Sequence, residues 1–264
     1  MLKDTRTRKK IPHSSLCREM SFKVPTCWKG LTEQQLRHVI RLLWLSQEHP
    51  ELQSAIMLYL YGISVVKRTD QGWLCQEKKS GDHFIIDPDV MLSMKESVDW
   101  VLQPEKMDVR IERVGRYQAV DFELRDLMFG DYLACENFFQ AFLSSHEEAR
   151  LVELARKLYQ VPDSVEEVKF EKEVLAGAFL WFNAAKQVLG EWFPHFLKPA
   201  GEVGGSGTRE NQLESTRAQI RLLTKGDVTK QDYIMNHTDT WTALGELDAL
   251  AMEAEEIKQK YGKK

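Results

Sequence analysis

Apolar residues recur with helical spacing along most of this chain. After Thr32 they fall at positions i, i+3, i+4, i+7 and i+8, which predicts an amphipathic helix ending near Pro50. Thr32 and Gln35 have the spacing of a capping box, in which each side chain accepts a hydrogen bond from the other residue's backbone N–H. A second helix is predicted over 51–61, and Gly62 should stop it.

The spacing changes to short β-prone runs after this helix. Three runs within 63–86 are separated by turn residues, which predicts an antiparallel meander. A short helix is predicted from Pro88, and a second hairpin is predicted around Gly115.

Helical spacing returns from Leu124 onward. A capping box is predicted over 144–147, and Ser164 is predicted to cap a long helix that runs through Leu189. The sequence therefore predicts an α+β fold, mainly α, with a helical core and a small antiparallel sheet.

Composition shifts divide the chain further. Residues 198–208 hold four glycines among eleven residues, which predicts a flexible linker. We expect a disordered basic tail over 1–20, a mainly helical core domain with the small sheet over 21–197, and a C-terminal helical segment over 209–264.

Charge and cysteine usage exclude several classes of protein. The net charge of −4 argues against a general polyanion binder, although five basic residues among the first ten leave open nucleic-acid contact through that tail. No apolar run approaches the roughly 18 residues that would span a bilayer, so we expect no membrane partner. Four separated cysteines without a C-x-x-C pair are typical of reduced thiols, and we expect a cytoplasmic location.

Candidate catalytic chemistry is sparse. The seven histidines do not pair with another ligand at helical spacing, and the glycine cluster at 201–207 lacks the Gly-Lys-Ser/Thr of a phosphate loop. Paired acids lie beside lysines, which is typical of solvated helix faces. We therefore predict no catalytic, metal-binding or cofactor-binding residues, no cofactor, and a protein that is not an enzyme.

The most informative pattern is an apolar seam near the C-terminus. Its residues recur at alternating steps of four and three and are flanked by charges: Ala243, Leu247, Leu250, Ala254, Ile257 and Tyr261. Such a seam packs against its own domain, a second copy or another chain, and self-association stays open. The partner-binding residues predicted here are Leu247, Leu250, Ile257, Trp241 and Leu244.

Several short segments resemble proteins encoded in prophage tail gene clusters. They are FKVPTCWKGLT at 22–32, LMFGDYL at 127–133 with Leu158-Tyr159 downstream, KGDVTK at 225–230 and WTALGEL at 241–247. These helical proteins are similar to tail assembly chaperones. The resemblance implies a chaperone that coats a long helical tape-measure-like client while the tail tube polymerises.

The sequence thus predicts a non-enzymatic protein-binding protein. The resemblance implies that it is a phage tail assembly chaperone. One alternative is a structural or adaptor protein of a phage tail. Another is a hydrolase whose catalytic residues converge only in the folded chain.

Overall fold

The computed structural model of this chain describes residues 6–10, 21–165, 168–197 and 217–261. The chain divides into two compact units, Met1–Ile111 and Glu112–Lys264. The fold is α+β and mainly α with a small antiparallel sheet, and this prediction is confirmed. The predicted linker at 198–208 lies outside the described residues.

In its described residues, the N-terminal unit (1–111) combines three α-helices with two small sheets. Its helices are α1 (Glu33–Ser46), α2 (Leu52–Tyr61) and α3 (Pro88–Glu96). Strands β1 (Arg6–Lys10) and β2 (Ser21–Pro25) pair antiparallel, and β3 (Ile63–Thr69), β4 (Gly72–Glu77) and β5 (His83–Ile86) form the predicted meander in the order β3-β4-β5.

Local signals set the helix ends of this unit. The capping box of Thr32 and Gln35 is present, with the Thr32 backbone N–H donating to the Gln35 side-chain oxygen at 2.9 Å. Gly62 ends α2 in the left-handed conformation, at φ +67°. Asp87 caps α3 through the backbone N–H of Val90 at 2.9 Å. Each of these ends depends on residues no more than three positions away.

The C-terminal unit (112–264) is built from helices. They are α4 (Phe129–Ser145), α5 (Glu148–Leu158), α6 (Lys172–Trp192), α7 (217–223), α8 (Gln231–His237) and α9 (Thr240–Tyr261). The hairpin predicted around Gly115 forms only two-residue strands, β6 (Arg113–Val114) and β7 (Tyr117–Gln118). The core lies where α4, α5 and α6 meet.

Aromatic rings fill much of this core. Phe139 of α4 stacks on Phe179 of α6 with the ring centroids 4.9 Å apart, and it also contacts Phe182 at 5.5 Å. Trp181, Phe182 and Leu154 are fully buried. Burying such side chains is the main apolar contribution to the stability of this unit.

A short loop over 119–127, called here the anchor loop, connects this core to the last helix. Trp181 of α6 donates its indole N–H to the carbonyl oxygen of Phe122 at 2.9 Å, and Trp241 of α9 donates to that of Glu123 at 2.7 Å. Leu124 is fully buried and has a left-handed backbone, at φ +62°. This conformation costs a non-glycine residue about 1–2 kcal/mol, so the surrounding contacts must hold it in place.

Several sequence predictions need correction. The long helix begins at Lys172 rather than near Ser164, and Glu147 precedes α5 without a side-chain cap. Instead, α4 continues through Ser145 and ends at His146 in the left-handed conformation. The Ser145 hydroxyl then accepts from the backbone N–H of Glu147 at 3.2 Å, a local turn that replaces the predicted capping box.

The domain division also differs from the predicted one. Residues 21–197 are split between the two units at 111/112, and residues 217–261 belong to the same unit as 112–197. Within the tail predicted to be disordered over 1–20, Arg6–Lys10 pair antiparallel with Ser21–Pro25. The remainder of that tail lies outside the described residues.

The close approach of α8 to α4 at Gly130 gives a first prediction. A Cβ atom at Gly130 would lie 2.7 Å from the Met235 carbonyl oxygen, so we expect Gly130→Ala to lower the free energy of unfolding by about 1–3 kcal/mol. Gly190→Ala in α6 is the matched control, because its nearest neighbour would be 3.8 Å away. Alanine there should be neutral or stabilise by up to about 1 kcal/mol. Urea titrations of both variants would measure this, and equal effects would contradict the close packing.

Candidate functional site

The apolar seam predicted near the C-terminus lies on α9, and its exposure changes along the helix. Leu244 and Leu247 are buried, Leu250 is half-buried, Ile257 is 58% exposed and Tyr261 is 76% exposed. Residues 249–261 are called here the exposed half of α9. The apolar seam is therefore buried in the core at the beginning of α9 and exposed to solvent at its end.

Main-chain hydrogen bonds fix the beginning of α9 against the beginning of α4. The backbone N–H of Thr240 donates to the Leu127 carbonyl oxygen, and the N–H of Phe129 donates to that of Thr238, both at 2.9 Å. The Thr240 hydroxyl donates to the same Leu127 oxygen at 2.7 Å. These bonds join segments more than one hundred residues apart and leave little freedom at this end of the helix.

Trp241 is held on several sides. Besides its bond to Glu123, its ring lies under the Arg125 guanidinium at 3.8 Å and against the Phe193 ring at a centroid distance of 5.3 Å. The Trp192 ring, itself 60% exposed, lies 5.6 Å away. Trp241 therefore anchors α9 to its own unit.

Carboxylates of α9 hold the segment that follows α6. The Asp248 oxygen Oδ1 accepts from the backbone N–H groups of His195 and Phe196 at 2.8 and 2.9 Å. Two turns further along α9, Glu255 Oε2 lies 3.2 Å from His195 Nδ1. These contacts reach to residue 255, and the apolar side chains beyond it are the exposed Ile257 and Tyr261.

The predicted partner-binding residues are thus divided. Leu244 and Leu247 are covered by their own unit, and Trp241 is engaged there, so an open binding face is the wrong description of these three. Trp241 is held by the anchor loop and by the Phe193 ring. Leu250 and Ile257 both lie within the exposed half of α9, where Leu250 is half-buried and Ile257 is exposed. Partner binding by these two stays a prediction.

The sequence pattern does not reveal the residues that fix α9 to its own unit. In the sequence, Asp248 is one of the charges that flank the seam. Glu123, Arg125 and His195 lie far from the seam along the chain and share no spacing pattern with it. Only the aromatic residues near Trp192 and Trp241 indicate a contact between the two segments. Their presence does not show which rings meet or how they are oriented.

Ionisable groups between α4, α5 and α6 form structural pairs. Lys186 Nζ lies 2.7 Å from Glu136 Oε1, and Lys157 Nζ lies 3.0 Å from Asp131 Oδ1. Burial opposes the charged form of Lys157, but the Asp131 carboxylate outweighs it and raises the lysine pKa. Lys157 therefore stays charged near neutral pH.

The Cys135 side chain beside these pairs is fully buried. Burial, with a contribution from Asp131, raises the pKa of its thiol. A thiol held in this protonated form is a poor nucleophile. Within the described ranges, no group of three or more His, Cys, Asp and Glu side chains is placed to hold a metal ion. None of the described helices is both long and apolar enough to cross a membrane.

The split of the seam can be tested by stability measurements. We expect Leu247→Ala to lower the free energy of unfolding by about 2–5 kcal/mol, because it leaves a cavity under α9. Ile257→Ala should change it by less than about 0.5 kcal/mol, since that side chain is exposed. Urea titrations would compare the two variants. A comparable loss for Ile257→Ala would show that the second half of the helix is also docked.

The beginning of α9 should also respond to pH. Burial opposes ionisation of Asp239, but hydrogen bonds from the backbone N–H and hydroxyl of Thr242 outweigh it and lower the pKa of this carboxyl. Asp239→Ala should therefore cost about 1 kcal/mol at neutral pH. Since the folded pKa is lowered, this stabilisation is complete above the unfolded value and disappears as pH falls through the folded one.

The measurement is the difference in unfolding free energy between Asp239→Ala and the parent chain from pH 7 down to about pH 2. The exposed Glu253→Ala on the same helix is the control and should show a much smaller difference. A difference for Asp239→Ala that does not shrink in acid would contradict the assigned role of its charge.

Comparison of this chain with protein-family models, with curated proteins and with solved structures found no match in any of the three. A functional proposal for this chain therefore rests on its own residues and on the geometry of α9.

Proposed function

We propose that this chain is a non-enzymatic protein-binding protein whose partner packs along the exposed half of α9. The observation that supports this is the continuation of one apolar seam from the buried Leu247 to the outward-facing Ile257 and Tyr261. Hydrogen bonds fix the beginning of the helix, and they therefore limit the movement of its exposed half. A partner helix can add its own apolar stripe to such a seam.

The expected affinity is modest. Burying a large apolar side chain such as Ile257 contributes about 1.5–3 kcal/mol relative to exposure. Against this stands the loss of translational and rotational freedom on association, which is larger than any one such contribution. Two or three contacts of this kind support reversible binding rather than a permanent subunit.

The specific form we propose is a tail assembly chaperone for a long, tape-measure-like helical client. The resemblance of the segments at 22–32, 127–133, 225–230 and 241–247 to prophage tail-cluster proteins supports it. A long helical client offers repeated apolar stripes, and reversible binding would let the chaperone be displaced as the tail tube grows.

Co-expression with the product of the longest helical open reading frame in the same gene cluster would test this proposal. We expect the two proteins to co-purify and the client to stay soluble. Ile257→Glu together with Tyr261→Glu should reduce capture at least about tenfold, because charged side chains would replace the apolar contacts.

Met252→Glu is the matched control. Met252 is 41% exposed on the same helix, but at 100° per residue it lies on roughly the opposite side from Tyr261. We expect it to leave capture unchanged. The proposal fails if the client does not co-purify with the parent chain, or if Met252→Glu weakens capture as much as the seam variant does.

A further inference from the structure

A polar cavity in the N-terminal unit has no role in the proposed function. Its volume is about 420 Å³, and it lies at the beginning of α1, near the end of α2 and beside the residue that follows β4. The polar residues that line it are Lys23, Thr32, Gln34, Gln35, Tyr59 and Lys78. This volume falls at the lower end of the range for small-molecule sites, about 300–1,000 Å³.

The lining of this cavity consists mainly of hydrogen-bond donors. Lys23 and Lys78 supply ammonium groups, and neither has a carboxylate partner among the described residues. The Gln35 side-chain oxygen already accepts from the backbone N–H of Thr32 at 2.9 Å, which leaves the amide N–H groups as donors. Burial raises the pKa of Tyr59, so its hydroxyl remains protonated and can also donate.

Positive charges near the cavity also act on His38. His38 stacks on Tyr59 with the ring centroids 3.9 Å apart. The pKa of His38 is lowered, first by burial and then by the positive charges of Arg41 and Lys78. No carboxylate lies among the described residues that line the cavity, so the local charge favours an anion.

We propose that this cavity binds a small molecule carrying a phosphate group. A phosphate group presents about −1.5 to −2 charges and three strong acceptor oxygens near neutral pH. Two lysines and several neutral donor side chains line one space, which suits such a group. The volume leaves room for a modest organic part beside the phosphate. This proposal does not depend on α9 or on its partner.

The test uses the full chain, labelled for NMR, and inorganic pyrophosphate as the probe at constant ionic strength. We expect saturable shifts of the side-chain amide signals of Gln34 and Gln35. The pKa of His38 should rise toward its ordinary value in the complex, because the bound anion offsets Arg41 and Lys78. Succinate is the comparison anion and should bind at least about tenfold more weakly, since its charges are spread over two carboxylates.

Variants then locate the binding. Lys23→Gln and Lys78→Gln should each weaken pyrophosphate binding about tenfold or more. Lys95→Gln, at an exposed lysine of α3 in the same unit, is the matched control and should leave it unchanged. If Lys78→Gln fails to fold, Lys23→Gln and the His38 titration of the unaltered chain still decide the question.

Three results would overturn the proposal. They are the absence of saturable pyrophosphate binding, succinate binding of equal strength, and an equal loss of binding in Lys95→Gln. The last of these would assign the effect to general surface charge rather than to the cavity.

Discussion

Backbone carbonyl groups in a bend have no partner from a helix or a sheet, and burying one without a hydrogen bond costs about 1–3 kcal/mol. In the anchor loop over 119–127, donors from distant parts of the chain satisfy these carbonyl groups. Its carbonyl oxygens accept from Trp181 of α6, from Trp241 of α9, and from the backbone and hydroxyl of Thr240. Because the donors come from the core and from the last helix, the loop joins them into one unit and keeps Leu124 in its strained conformation.

The same loop determines what α9 can offer to another molecule. A helix fixed at its beginning and contacted along its side by His195 has only its last turns free for a partner. Such a helix needs little ordering when a partner binds, so less of the contact energy is lost than with a tethered, disordered segment. The proposed surface is therefore small but preorganised.

Local features of the fold could be predicted from the sequence, whereas features that depend on tertiary contacts could not. The capping box of Thr32, the stop at Gly62 and the β3–β5 meander depend on neighbouring residues, and all three are present. The cap expected near Ser145 is absent because the helix before it continues and a competing turn forms. The spacing of the seam located the candidate surface, but burial depends on tertiary packing, so the spacing could not show that Leu247 is buried while Ile257 is exposed.

The pairing of Leu127 with Thr240 also has a consequence during protein synthesis. These two residues are 113 positions apart, and at about 5–20 residues per second the ribosome needs roughly 6 to 23 s to add that length. During this interval the nascent anchor loop lacks its Trp241 and Thr240 donors, and the aromatic helices α4 and α6 emerge without the helix that completes their unit. We therefore expect a newly made chain to expose apolar surface for seconds, the state in which chains aggregate or bind general folding factors.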